Sequence, residues 1–448
     1  MKKCLIVLIL TLNSFNGICQ WQNLSRGLDN DGRVLAYDTI DNILYVGGNF
    51  VHADSIKVDQ VARWNGTSWD SLGGGGLGGT PTYSIILYNG KLFASTLFSY
   101  SFPNNFNCLA FWDGISWQWD TINQKVDNIV HVFKEYSGDL YLGGGFTQIG
   151  LLNANHIAKY DGATFTSFPF PSDLGSRIDA IEFYNGQMYI GGNFYDSITG
   201  VNDLERWNGT SFEPFGTNGL SFGVASVNTM AVYNGELYIG GTFSIASGDP
   251  ANYIMRWDGS QFHDVGGGTE VAVEEMHVFN GELYVCGQFL MAGSTPVNHL
   301  AKWNGSQWSE VCPMSMLPLD YASNINDFYI HNNDLFITGY FTSIDSVIVN
   351  SIAKYSGLNQ EVSNELMGRI NVYPNPANNI LSISGIEKID ELQDVLIQDV
   401  LGRRIKLPIS FFREEIQIDI SSLNPQLYFI EINSGEGKVV EKFVKELN

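Results

Sequence analysis

The chain has 448 residues, 44% of them hydrophobic and 13% aromatic, which excludes a disordered polypeptide and leaves room for two or more domains. Its formal charge of -23 argues against nucleic acid and anionic lipid surfaces as partners. Forty-eight glycines set against only 16% charged residues favour many short strands joined by turns over long surface helices, so the expected class is all-β.

The first segment, MKKCLIVLILTLNSFNGICQ, places two lysines before an apolar run and then small and polar residues, the layout of a secretory signal peptide over residues 1–19. Its apolar run is too short to cross a bilayer, and no transmembrane segment is expected elsewhere. Ile18 before Cys19 fits a lipoprotein cleavage box poorly, so soluble export is read over a lipid anchor. With Cys4 and Cys19 lost with the signal, Cys108, Cys286 and Cys312 remain. Their number and spacing are not a disulfide framework; unpaired buried thiols are expected, with a Cys286 to Cys312 bridge as the alternative.

From residue 44 a unit repeats. LYVGGNF returns as LFASTLF, LYLGGGF, MYIGGNF, LYIGGTF, LYVCGQF and LFITGYF, closing on Phe50, Phe98, Phe146, Phe194, Phe243, Phe289 and Phe341. ARWNGTSW keeps step, echoed as AFWDGISW, AKYDGATF, ERWNGTSF, MRWDGSQF and AKWNGSQW and reduced to AKYSG in the last unit. Asn-Gly and Asp-Gly suit two-residue type I′ hairpins, so each unit reads as four antiparallel strands, with the glycine pair in the second strand where sheets approach closely. Seven such units describe a β-propeller over residues 20–357. The aromatic that opens the fourth strand falls at Trp69, Trp117, Phe165, Phe212, Phe262 and Trp308, but the seventh unit has Gln360 in that place. Trp21, 48 residues before Trp69, has no unit of its own, so the N-terminal strand is expected to complete the blade that contains Tyr355. YNGELYIGG and ARWNGTSW resemble the strand and turn motifs of kelch-type propellers, a resemblance that speaks for fold and leaves the ligand open.

After the polar segment 358–368, read as a linker, the period stops and residues 369–448 show short alternating apolar stretches, a small β-sandwich by expectation. VYPNPANNILSISG, IQDVLGRRI and LYFIEINSGEGKVVEKFVK resemble the C-terminal sorting domain of type IX secretion cargo, with Gln426 where that family usually has Gly. The resemblance implies the type IX secretion machinery as a partner, passage through the periplasm, and a mature protein that is secreted or held on the outer cell surface.

Candidate functional residues gather in two places. Asp127, Asp179, Glu275 and Asp327 fall near the starts of innermost strands and could converge at the mouth of a central channel as a cation or sugar site; solvated strand ends are the plainer reading. The long connections opposite the Asn-Gly turns carry Tyr100, Phe102, Phe168, Phe170 and Tyr321, candidates for stacking on a glycan. Asp29 and Asp31 form half of a calcium loop, and a turn explains them as well. The histidines show no metal-ligand spacing, GGGGLGG lacks the helix a nucleotide loop needs, and no cofactor is expected. Asp followed by Ser or Thr and an aliphatic residue marks Thr39, Ser55, Ser71, Thr121, Ser197 and Ser346; this resembles the O-glycosylation site of bacteria with this export route. The leading expectation is a non-catalytic binding propeller for an extracellular glycan or protein. The alternatives are a polysaccharide-acting enzyme with carboxylates or His as acid and base, and a purely structural surface protein.

Overall fold

In the computed structural model the described residues are 20–73, 77, 81–96, 107–118, 125–170, 176–196, 201–215, 226–246, 249–312, 316–317, 323–345, 347–356, 358, 371–384, 392–399, 404–405, 407–412, 415–434 and 437–446. The signal segment 1–19 and nearly all of the linker lie outside them. The chain divides into two compact units, Met1–Gly357 and Leu358–Asn448.

The first unit is all-β and, among its described residues, contains seven four-stranded antiparallel sheets. The first sheet runs Gly32–Asp38, Ile43–Gly48, Val61–Trp64 and Trp69–Ser71, in chain order across the sheet. The next five repeat this arrangement from leading strands Ser84–Tyr88, Val130–Tyr136, Arg177–Tyr184, Val227–Tyr233 and Val273–Phe279. In the seventh, Asn324–His331, Asp334–Tyr340 and Ile352–Ser356 are joined at the outer edge by Gln20–Asn23, with Trp21 opposite Tyr355. Their rings lie 5.1 Å apart. Each leading strand packs against the next, and Gly32–Asp38 packs against Asn324–His331 as well. This succession of twisted four-stranded sheets is a β-propeller architecture.

The glycine pair does two separate jobs. A Cβ on Gly191 would stand 2.5 Å from Val227 Cγ1, one on Gly143 would stand 2.7 Å from Ile178, and one on Gly240 would stand 2.6 Å from Val273, so the first glycine admits the leading strand of the next sheet. The second glycine instead faces its own sheet: a Cβ on Gly48, Gly192 or Gly241 would strike the backbone carbonyl of Asp31, Arg177 or Ser226. That crowding coincides with a β-bulge. Six of the leading strands shift register there, for example between Val34 and its neighbour Gly32 and between Glu275 and Val273. Where the seventh sheet carries Thr338 in place of the first glycine, the facing residue of the first sheet is Gly32, whose absent Cβ makes room for the Thr338 hydroxyl. Bulk and space have changed sides.

The two kinds of hairpin differ. Between first and second strands of the second to seventh sheets the expected type I′ geometry holds, with both residues at positive φ (Asn185 50° and Gly186 75°; Asn234 50° and Gly235 77°), whereas in the first sheet Asp38 pairs with Ile43 across a four-residue loop and its Oδ1 accepts the N–H groups of Ile40 and Asp41. Between third and fourth strands, Trp64 pairs with Trp69 and leaves a four-residue loop. There Asn65 Oδ1 accepts the backbone N–H groups of Thr67 and Ser68 at 3.0 and 2.9 Å, and Gly66 takes positive φ. Asp113, Asp161, Asn208, Asp258 and Asn304 repeat that use, so Asn or Asp is present there for its side-chain oxygen, a correction to the two-residue turn inferred from the Asn-Gly pair.

The fourth-strand aromatics are packing elements. Trp69 Nε1 donates to Leu24 O and Trp308 Nε1 to Val265 O, both at 2.8 Å and both reaching the neighbouring sheet's outer edge. Third-strand cations pair with carboxylates at the start of the second strand, as in Lys159 with Asp139 and Lys302 with Glu282 at 2.8 Å. Such surface pairs contribute about 1 kcal/mol or less each, but they occupy scarce positive charge in an acidic chain. Cys108, Cys286 and Cys312 are buried and not joined in disulfides, and burial pushes the Cys108 thiol up to about 12.

The second unit has two four-stranded sheets. One contains Asn371–Tyr373, Ile380–Ser384, Glu415–Asp419 and Ile409–Phe412; the other contains Arg404–Ile405, Leu392–Asp399, Leu427–Ser434 and Gly437–Val444. Leu381, Ile383, Ile416 and Ile418 from the first sheet and Val395, Ile397, Ile430 and Phe443 from the second share one core, which makes the unit a β-sandwich. In the Pro-Asn-Pro segment, Asn375 Oδ1 accepts Val444 N–H at 3.0 Å and Ala377 N–H donates to Val444 O at 2.8 Å, tying the opening loop to the last strand. Gln426 is not among the residues with positive φ, so this turn does not require the usual glycine.

Overpacking a close-packed contact costs about 1–3 kcal/mol, so Gly47→Val, which would press on Thr82 at 2.8 Å, is expected to lower unfolding stability by that order in denaturant titration. Gly32→Val should destabilise in the same way, and adding Thr338→Gly should recover part of that loss if bulk is interchangeable across the seam between the seventh and first sheets.

Candidate functional site

The bulge that each glycine pair permits also aims side chains. In the bulged strands, the residues at and just before the shift leave the regular alternation and turn toward the space enclosed by the leading strands. Among the described residues, a recess and two cavities lie there. A recess of about 490 Å³ is lined by Asp31, Arg33, Glu274, Asn324, Asn326 and Tyr340, at the end where leading strands begin. Two cavities of about 430 and 440 Å³ lie further along the strands; Asp179, Glu275 and His277 line the first, and His131, Glu275, His277 and Asp327 line the second.

A string of polar contacts follows the bulges from sheet to sheet. Arg33 lies 5.2 Å over the Tyr83 ring, Tyr83 stands edge-on to His131 at 5.6 Å, and His131 Nδ1 is 3.5 Å from Asp179 Oδ1. Asp179 Oδ2 accepts Arg177 Nε at 2.7 Å and Ser226 Oγ at 3.2 Å. Asn228 Nδ2 then donates to Val273 O at 2.9 Å and to Glu274 Oε2 at 3.3 Å, and Asn326 Nδ2 donates to Gly32 O at 2.7 Å. One residue deeper, Thr229 Oγ1 donates to Glu275 Oε1 at 2.6 Å, His277 Nε2 is 3.7 Å from Asp327 Oδ1, and Asp327 Oδ2 accepts Leu35 N–H at 2.7 Å. Among these bonds, those to Val273 O, Gly32 O and Leu35 N–H satisfy backbone groups beside the bulges, and all three cross between sheets.

Burial pushes the carboxyls of Glu274 and Glu275 up, and neighbouring negative charge adds to the rise: Glu275 beside Glu274, and Asp327 beside Glu275. Burial pulls the His277 imidazole down, but the bond to Asp327 and the charges of Glu275 and Asp327 outweigh it, and the net direction is upward. His131 goes the other way because burial prevails over Asp179. The His277 side chain keeps 48% of its surface open although protein surrounds it, as expected of a group on the wall of a water-filled channel.

Three of the four carboxylates anticipated from the sequence, Asp179, Glu275 and Asp327, therefore line these cavities, and Asp127 does not join them. Asp127 is exposed, and its carboxylate accepts the N–H groups of Thr147 and Gln148 and the Thr147 hydroxyl, a turn anchor. Asp29 plays the same part in the first repeat, accepting Val51 N–H at 2.8 Å and contacting His52 Nδ1 at 2.8 Å, while Asp31 holds Arg33. These bonds explain the half-motif for calcium as turn chemistry; among the described residues no His, Cys, Asp or Glu group of three or more is arranged for a metal ion. Phe170 is buried edge-on against Phe194 and Phe212, and half-buried Phe168 packs against Trp207, so neither offers a face for stacking, a correction to their reading as loop aromatics. Tyr100, Phe102 and Tyr321 lie outside the described residues, as do Thr121, Ser197 and Ser346. Thr39 and Ser55 are exposed in turns, and Ser71 is half-buried in a strand. His156 and His299 are buried with Nδ1 3.2 Å from Gly144 O and Gly287 O, a repeated structural contact.

Arg33, His131, Asn228, Glu274, His277 and Asn326 were not anticipated. Aligning the repeats on the closing Phe places His131, Asp179, Asn228, Glu274 and Asn326 at one register, the bulge itself, and Arg33 takes the same place at the bulge of the first sheet, whose first hairpin is longer; the signal was present, but nothing in the sequence marked that register as facing a channel.

The sandwich unit has a family counterpart: residues 371–446 match the family described as secretion system C-terminal sorting domain. The match implies export to the cell surface or the medium. No curated protein matches the chain. Among solved structures, the β-propeller domain of the Trilobed protease from Pyrococcus furiosus aligns at 10% identity with a TM-score of 0.42, covering 75% of this chain and 96% of that one. The calcium-binding protein regucalcin from Agrobacterium tumefaciens aligns at 11% identity with a TM-score of 0.32, covering 60% and 86% respectively. Neither protein's activity carries over at such similarity.

Near Asp179 the fourth sheet buries Asp203, whose carboxyl is pushed up to about 7 by burial, against the opposing bond from Phe194 N–H at 2.9 Å. A carboxyl whose pKa rises on folding favours the folded state while protonated, and that contribution is lost as pH rises through about 7. Asp203→Asn keeps the acceptor and suits the residue's positive φ of 67°. The variant is expected to match the parent near pH 4 and to exceed it near pH 8 by on the order of 2–4 kcal/mol, read from denaturant unfolding at both values.

Proposed function

We propose that the chain is an exported binding protein: a kelch-type, seven-bladed propeller closed by its N-terminal strand, delivered through a signal peptide at 1–19 and the type IX machinery, and contacting an extracellular glycan at the end where the leading strands begin. The observation that carries the reading is the recess lined by Asp31, Arg33, Glu274, Asn324, Asn326 and Tyr340. It offers acceptors, amide donors, a guanidinium and a half-exposed tyrosine ring within one concave surface, the mixture that recognises the hydroxyls and the apolar face of a sugar. Trp21 opposite Tyr355 supports the closure, and the seven sheets support the blade number. Thr39 and Ser55 are accessible for the glycosylation their sequence context suggests.

Binding is favoured over hydrolysis by what the carboxylates already do. Both oxygens of Asp327 accept backbone N–H groups, from Leu35 and Phe328 at 2.7 Å, and Glu275 Oε1 accepts Thr229 and Met276. Groups committed to holding the sheets together are poorly placed to exchange protons with a substrate.

The full chain on a glycan array should bind a defined subset of sugars, and Arg33→Ala or Tyr340→Ala should each weaken that binding about tenfold. Release of reducing sugar from a polysaccharide, abolished by Asp327→Asn or Glu275→Gln, would instead establish the enzyme. Removing residues 371–446 should leave the protein in the periplasm, measured by cell fractionation; normal export of the shortened chain would refute the sorting role.

A further inference from the structure

The deeper cavity of about 440 Å³ differs in chemistry from the recess and suits another class of ligand. One wall is apolar and aromatic. Tyr37 of the first sheet stacks on Tyr329 of the seventh, with ring centroids 5.5 Å apart and planes 12° from parallel, and Leu87 and Phe133 continue the surface. Carboxylates line the same cavity, namely Glu135, Glu275 and Asp327, together with His131 and His277, and no lysine or arginine does. The adjacent Lys134 turns away to Glu182, with Nζ 2.6 Å from Oε2. His277 leans on Asp327, so Glu275 is the carboxylate best placed to meet a charge from outside, and both of its hydrogen bonds enter through Oε1. The openness of the His277 side chain shows that solvent reaches this depth.

A partly enclosed carboxylate favours a positive group, and a paired aromatic surface on the same cavity favours an apolar body and adds cation–π attraction. We propose that this cavity binds a small organic cation, an ammonium group on an aryl or alkyl body, with the ammonium on Glu275 and the body against Tyr37 and Tyr329. The site is separate from the glycan recess, and either can fail without the other.

Phenethylammonium, phenethyl alcohol and phenylacetate share a body and differ in charge. In calorimetric titration of the full chain, phenethylammonium should bind at least about tenfold more tightly than the alcohol, and phenylacetate should not bind. Glu275→Gln keeps an Oε1 acceptor for Thr229 and Met276 and should weaken the amine about tenfold while leaving the alcohol unchanged. Tyr37→Leu retains apolar bulk but removes the ring, and should weaken the amine more than the alcohol. Thermal unfolding of each variant identifies loss of fold, and Arg33→Ala, at the recess, should leave amine binding intact. Equal affinity for amine and alcohol, an unchanged affinity in folded Glu275→Gln, or no binding of phenethylammonium would overturn the proposal.

Discussion

The architecture depends on how closely one sheet's second strand approaches the leading strand of the next. At Gly143, Gly191 and Gly240 the missing Cβ is what permits the contact with Ile178, Val227 and Val273. Packing at this distance gains dispersion contacts that a single gap would forfeit. Because the second glycine gives way to the bulge of its own leading strand, the same dipeptide sets both the spacing between sheets and the local twist. The exchange of bulk between Thr338 and Gly32 shows that the constraint acts on the summed volume at a seam rather than on glycine itself.

The enclosed space inherits its chemistry from that constraint. A bulge removes backbone groups from the ladder, and buried polar groups must find partners elsewhere. Asp327 does this for Leu35, Ser95 for Val130, and Asn228 and Asn326 for the carbonyls of Val273 and Gly32. The polar residues of the channel are therefore partly structural, and their presence alone does not signal catalysis. What distinguishes one side of the channel from another is departure from the repeat. At the bulge, the register that is valine in the first and third sheets becomes Glu275 in the sixth and Asp327 in the seventh, so charge accumulates on one arc, with Tyr329 two residues further along the strand that carries Asp327.

Much of the fold was legible because a repeat converts weak local signals into a strong one. The second-strand motif, the hairpins and the orphaned Trp21 all located their strands, since each relies on alternation and turn residues that act within a few positions. The third-to-fourth-strand turns were misjudged because Asn-Gly in sequence does not say whether the asparagine supplies positive φ or a side-chain acceptor. Asp127 and Phe170 were misjudged for a related reason: a residue near a strand end faces either the channel or its own loop, and only the bulge and the loop's path decide which. The sorting domain was legible through its motifs, and the structure added the reason for the Pro-Asn-Pro segment, which the last strand holds in place.

The sequence by itself determined the all-β class, the repeating four-strand unit, the pairing expected of the N-terminal strand and the character of the last domain, because these follow from periodicity, turn chemistry and family motifs carried by contiguous residues. Only the tertiary structure decided that the two glycines serve different neighbours. It also decided that Glu275, His277 and Asp327 share a cavity with Tyr37 and Tyr329, because residues almost 300 positions apart meet only when the sheets have packed in succession and the bulges have turned their side chains inward.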